Sequence, residues 1–133
     1  MAVALHQLGQ VAVTVDDVDV AEEFYANSLG LRKLFRFGNL VFFDCAGVRL
    51  LVEKANVSPF VPASSILYFK SPDLTVTVAQ LQSRGVEFVS APQLVAPLED
   101  HDLWMAFFKD PAGNTLALMQ EAPKGWQSKQ ESP

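Results

Sequence analysis

Hydrophobic and polar positions alternate over residues 9–16, where Val11, Val13 and Val15 interleave with Gln10, Ala12 and Thr14. A period of two predicts a strand with one apolar face and one small, polar face. The period then changes. In residues 18–30, VDVAEEFYANSLG, the side chains of Val20, Ala21, Phe24, Tyr25 and Ser28 share one side at helical spacing. Asp16 and Asp17 supply carboxylates for the free N–H groups of a first helical turn, and Gly30 stands where a left-handed C-cap belongs. Strand patterns follow over residues 31–37, 40–45 and 48–53, separated by the turn formers Gly38-Asn39 and Ala46-Gly47. The first half therefore reads β-α-β-β-β.

Residues 56–64, NVSPFVPAS, carry two prolines and no period, which predicts a linker. The order then restarts. A strand is expected over 66–69, a cap at Ser71-Pro72-Asp73, a helix over 74–84 ended by Gly85, and a second strand over 86–89. An irregular proline-containing stretch comes next, followed by strands over 103–109 and 114–119. Residues 122–133 lack period and read as a loosely held tail, with Trp126 a candidate docking residue.

The halves can be laid over one another. Asp17 falls on Asp73, Gly30 on Gly85 after one deletion, and Phe42-Phe43-Asp44 on Phe107-Phe108-Lys109. Ala46-Gly47 falls on Ala112-Gly113, and residues 48–52 fall on 114–118. A four-stranded half cannot bury both faces of its sheet alone, so an internal repeat is informative. The expected fold is α+β. Two βαβββ modules, about residues 5–55 and 65–121, form a curved mixed sheet with helices on the outer face and a cleft on the inner one. They make a single domain over residues 1–121.

Composition narrows the function. At 133 residues, half of them hydrophobic, the chain can bury a sizeable core. Fifteen acidic against ten basic residues give a net charge of −5 without any cluster of Lys and Arg, so nucleic acid and anionic membranes are poor partners. The first nine residues lack the basic region and apolar run of a signal peptide, and no later run is long enough to span a bilayer; cytoplasm is the expected compartment. The lone cysteine, Cys45, sits in an apolar run and reads as an inert thiol. Nowhere is there a Ser-His-Asp arrangement, a phosphate loop or a dinucleotide fingerprint.

The opening QVAVTVDDVDVAEEFYANSLGL and the closing FFKDPAGNTLALMQE resemble the two signatures of the vicinal oxygen chelate superfamily. That superfamily includes glyoxalases, bleomycin-resistance proteins, extradiol dioxygenases and fosfomycin-resistance enzymes. The likeness covers nearly the whole chain apart from the tail, and it implies a homodimer. It also implies up to four metal-binding positions, which fall on Gln10, Leu51, Ile66 and Ala117. Only Gln10 can ligate. Aliphatic groups offer no lone pair to offset dehydration of a divalent ion, so no metal and no cofactor are expected. A register slip of two residues would bring Glu53 to the place of Leu51 and still leave the second half without a ligand.

Strand parity marks the cleft face. If Val11, Val13 and Val15 meet the helices, the other face shows Gln10, Ala12 and Thr14, then Arg49, Leu51 and Glu53. In the second half it shows Ile66, Tyr68 and Lys70, then Thr115, Ala117 and Met119. Apolar walls with a few polar groups are the usual make-up of a small-molecule site. Glu53 is a candidate general base, set against a solvated strand end. His101 is a candidate proton shuttle, set against a surface-loop histidine among acidic residues. Trp104 is either a stacking platform or core filling, and Asp110 belongs to a turn. The leading expectation is a protein that binds a small, mainly apolar or aromatic organic molecule without metal. Its rival is a lyase, isomerase or dioxygenase with a metal held by Gln10, Glu53 and His101.

Overall fold

Alternating valines make the first strand because branched side chains suit a pleated surface with one face buried. In a computed structural model, which describes residues 3–129, that strand is β1, Gln10–Val15. Asp17 caps the helix α1, Val18–Glu23, by accepting the Val20 N–H at 3.1 Å. The helix then widens into one π turn over Phe24–Ser28, and Gly30 leaves it at φ +76°. Strands β2 (Arg32–Phe37), β3 (Leu40–Cys45) and β4 (Val48–Lys54) complete the module. The second module repeats the plan with β5 (Leu67–Lys70), α2 (Leu74–Ser83), β6 (Gln93–Pro97), β7 (Asp102–Lys109) and β8 (Thr115–Ala122).

The chain divides into two compact units at Val61 and Pro62, each with its own four-stranded mixed sheet. The orders are β1-β4-β3-β2 and β5-β8-β7-β6, with the first strand parallel to the last in both. These are the two predicted βαβββ modules. The repeat register holds in detail. Asp17 and Asp73 are both N-caps, Gly30 and Gly85 both have positive φ, and Gly47 and Gly113 share φ +93°. Both edge strands also carry a bulge, at Leu34 in β2 and at Val95 in β6. No helix among the described residues is long and apolar enough to cross a membrane.

Each unit buries one sheet face under its helix. In the first, Val13, Val15, Val41, Phe43, Leu50 and Val52 meet Val18, Ala21 and Tyr25. Arg36 and Lys33 reach from β2 to the same side and pair with Glu22 at 2.9 and 3.2 Å. In the second, Ala106, Phe108, Leu116 and Leu118 are buried together with Leu74, Val78 and Leu81 of α2. Gln120 of β8 accepts the Leu74 N–H at 2.8 Å, which ties the start of α2 to the sheet.

Two expectations are corrected. Val20 is 48% exposed, because the buried stripe of α1 is Val18, Ala21 and Tyr25. No strand forms over residues 86–89. The Val86 N–H closes the end of α2 on the Leu81 carbonyl, while Gly85 at φ +88° bonds the Gln82 carbonyl, and contact with β7 is limited to one bridge from Phe88 to Phe108, with the Val89 N–H on the Phe107 carbonyl at 2.7 Å. The edge strand β6 lies instead in the proline-containing stretch, since an edge tolerates the missing N–H of Pro97. The described part of the tail makes bonds to the second unit. Ala122 belongs to β8, and buried Asp102 accepts Lys124 Nζ at 2.7 Å and the Gly125 N–H at 3.1 Å. The Lys129 N–H reaches Thr75 Oγ1 at 3.0 Å. The last four residues of the predicted tail lie outside the described ones.

Candidate functional site

The face of each sheet turned away from its helix is where the sequence placed binding residues. In the first unit, register sets Gln10, Ala12 and Thr14 of β1 directly beside Arg49, Leu51 and Glu53 of β4. On the other side of β4, Asp44, Phe42 and Leu40 of β3 pair with the same three residues. All six predicted residues of this unit therefore share one face. Leu51 is buried, Thr14 and Glu53 are half-buried, and Gln10, Ala12 and Arg49 are exposed.

Sequence reading missed the aromatic part of this face. Phe35 stacks on Phe42 with ring centres 4.5 Å apart, and the Arg49 guanidinium lies over the Phe42 ring at 5.6 Å. Phe37, opposite Leu40, is 75% exposed. Phenylalanines in strands read as core, which is true of Phe43 and Phe108. The usable signal was parity, since a buried Phe43 puts Phe42 on the opposite face.

In the second unit, Tyr68 pairs with Ala117 and Lys70 with Met119, while Phe107 and Met105 flank the same two residues from β7. Thr115 lies on this face opposite Lys109, and Ile66 comes one residue before β5. Ala117 is fully buried, and Tyr68 is 45% exposed with its ring edge-on to Phe107 at 6.3 Å. A depression of about 360 Å³ opens at the end of this face, lined by Lys70, Ser71, Pro72, Met119 and Glu121. That volume falls within the range of ligand pockets, about 300–1,000 Å³.

Trp104 is not part of this face. It pairs with Gln120 on the helix side and meets Trp126 edge-on at 5.1 Å, so the core alternative describes it. His101 precedes β7, with Nδ1 2.7 Å from the Asp100 carboxylate; that hydrogen bond holds Asp100 below the usual carboxylate range. Burial, and then the charge of Asp44, push the Cys45 thiol up, which disfavours a thiolate nucleophile. Asp110 accepts the Asn114 backbone N–H at 2.8 Å and its side-chain amide at 2.9 Å, the bonding of a buried turn.

Two mixed βαβββ sheets, each with a helix on one face and an open face opposite, are the architecture of glyoxalase-like proteins. The chain belongs to the Glyoxalase/Bleomycin resistance protein/Dioxygenase superfamily, whose family model matches residues 7–118. Among solved structures it is similar to a putative glyoxalase family protein from Bacillus anthracis, at 18% identity and TM-score 0.76. That match covers 91% of this chain and 99% of the other. It is also similar to lactoylglutathione lyase from Agrobacterium tumefaciens, with 21% identity, TM-score 0.70 and coverage of 90% and 97%. A glyoxalase/bleomycin resistance protein/dioxygenase from Alicyclobacillus acidocaldarius gives 18%, 0.70, 86% and 91%. At these identities the likeness concerns the fold. No curated protein gives a significant match.

The residues at the four positions that the resemblance assigns to a metal do not fit a divalent ion. The first unit offers Gln10 and the buried Leu51; the second offers Ile66 and the fully buried Ala117. One neutral amide oxygen is far short of the imidazoles and carboxylates such an ion needs. Glu53 shares a face with Leu51, but its counterpart in the repeat is Met119, another residue without a carboxylate. Among the described residues, no three His, Cys, Asp or Glu side chains come together.

Proposed function

We propose that this chain binds a small, mainly apolar or aromatic organic molecule on its open sheet faces, as a homodimer and without metal at the family positions. One observation carries the reading. Leu51 and Ala117, at positions where the resemblance implies donors in metal-dependent members, have Phe42, Tyr68 and Phe107 as strand neighbours on the same faces. Apolar walls supply binding free energy from area removed from water, about 25 cal/mol per Å². The few polar groups, Gln10, Thr14, Arg49, Glu53 and Thr115, fix orientation.

Metal analysis of protein purified without chelator, then titration with Ni, Zn, Mn and Fe, tests the metal-free part. Stoichiometric tight binding of any of these would overturn it in favour of a metal-dependent lyase, isomerase or dioxygenase. Calorimetric titration with a panel of aromatic and aliphatic compounds tests the binding part, with micromolar heats from planar members expected and silence across the panel counting against it. Sedimentation tests the dimer.

A further inference from the structure

We propose that Arg49 is an anion-recognition group, so that the ligand of the first unit's open face is a flat apolar carboxylate in preference to a neutral molecule of the same shape. This rests on the binding reading above and adds a chemical class to it. Two arginines stand on this face among the described residues. Arg32 is already paired with Asp44 Oδ2 at 3.3 Å. Arg49 lies opposite the same Asp44 in the register, yet the other carboxylate oxygen accepts the Gly47 N–H at 3.2 Å. Arg49 instead turns over Phe42, and it makes no ion pair among the described residues.

The result is a guanidinium held by a ring that is itself held by Phe35. A planar fork of N–H donors fixed in this way matches a carboxylate bidentately, with less side-chain freedom to lose than a free arginine. Gln10 sits directly beside it in β1, with an amide that makes no side-chain hydrogen bond among the described residues and can add a donor. Leu51 and Ala12 continue the face from there, providing an apolar bed for the body of the ligand. Glu53 stands four residues along β4, about 13 Å away at strand rise, and its charge repels a carboxylate at that end. The face thus has a direction, with the anion at Arg49 and the apolar body toward Leu51.

The test uses two matched pairs, 2-naphthoate with 2-naphthamide and hexanoate with hexanamide, titrated by calorimetry into the whole chain. 2-Naphthoate should bind about tenfold more tightly than 2-naphthamide, and rising salt should weaken the acid alone. Arg49→Gln should bring the acid to the affinity of its amide, so that the acid loses far more than the amide does. Arg49→Lys, which keeps the charge without the fork, should recover part of the difference. Acid and amide binding alike, or Arg49→Gln weakening both equally, would overturn the anion role while the binding reading stands. No binding by any of the four compounds would overturn both.

Discussion

Replacing Asn114 by Ala should cost this protein about 3 kcal/mol of stability. Asn114 is 2% exposed, and its side chain joins three parts of the second unit. Oδ1 accepts the Ala63 N–H at 2.8 Å, and Nδ2 donates to Asp110 Oδ2 at 2.9 Å. The first bond is neutral and worth about 1 kcal/mol; the second reaches a carboxylate and is worth about 1.5–3 kcal/mol. Asp110 is 4% exposed, so its carboxylate has little access to water that could replace the lost amide donor, whereas the Ala63 N–H lies on an exposed residue and can be solvated. For a chain of this length, about 3 kcal/mol corresponds to a fall in Tm of about 10 °C. Urea denaturation of wild type, Asp110→Ala, Asn114→Ala and the double variant gives both the cost and the coupling. A loss below about 1 kcal/mol for Asn114→Ala, or strictly additive single variants, would refute the assignment of this turn as a coupled polar network.

The two helix caps provide a comparison within one molecule: Asp17→Ala and Asp73→Ala should each cost about 1 kcal/mol by thermal unfolding, since each carboxylate accepts one N–H of the first turn. Asp102 is held below the usual carboxylate range, chiefly by its hydrogen bond from Lys124 and then by the Gly125 N–H. A depressed folded value means stability that is present above about pH 4 and lost as pH falls through the folded value, so Asp102→Asn should flatten the acid limb of a pH-stability profile. Both tryptophans lie together on the helix side of β7, so Trp126→Ala should alter the fluorescence of Trp104. An unchanged emission maximum would argue that the tail does not dock there.

Much of the fold was legible because it rests on local chemistry. The strict alternation in β1, the capping aspartates, the glycines that must take positive φ and the repeated FF…AG register each have a single economical structural answer. The open-face set in β1 and β4 was legible for the same reason, since parity along a strand needs no knowledge of the neighbours. The misses have a different cause. Residues 86–89 look like a strand in isolation, but the Val86 N–H is used by the end of α2, and the ladder passes to a stretch whose prolines hide it. Trp104 alternates as well as its neighbours do; only the pairing with Gln120 and the contact with Trp126 place it on the helix side.

By itself, the order of residues determined two βαβββ modules and their capped helices, because these depend on side-chain type and on spacing within a few residues. Tertiary structure alone decided that Phe35 and Phe42 stack on the open face and that Arg49 turns over Phe42 while Asp44 goes to Arg32. Those partners come from separate strands. Which of several equally polar neighbours a charge meets depends on register and bulges set by the packing of the whole sheet, and no period along a single strand encodes it.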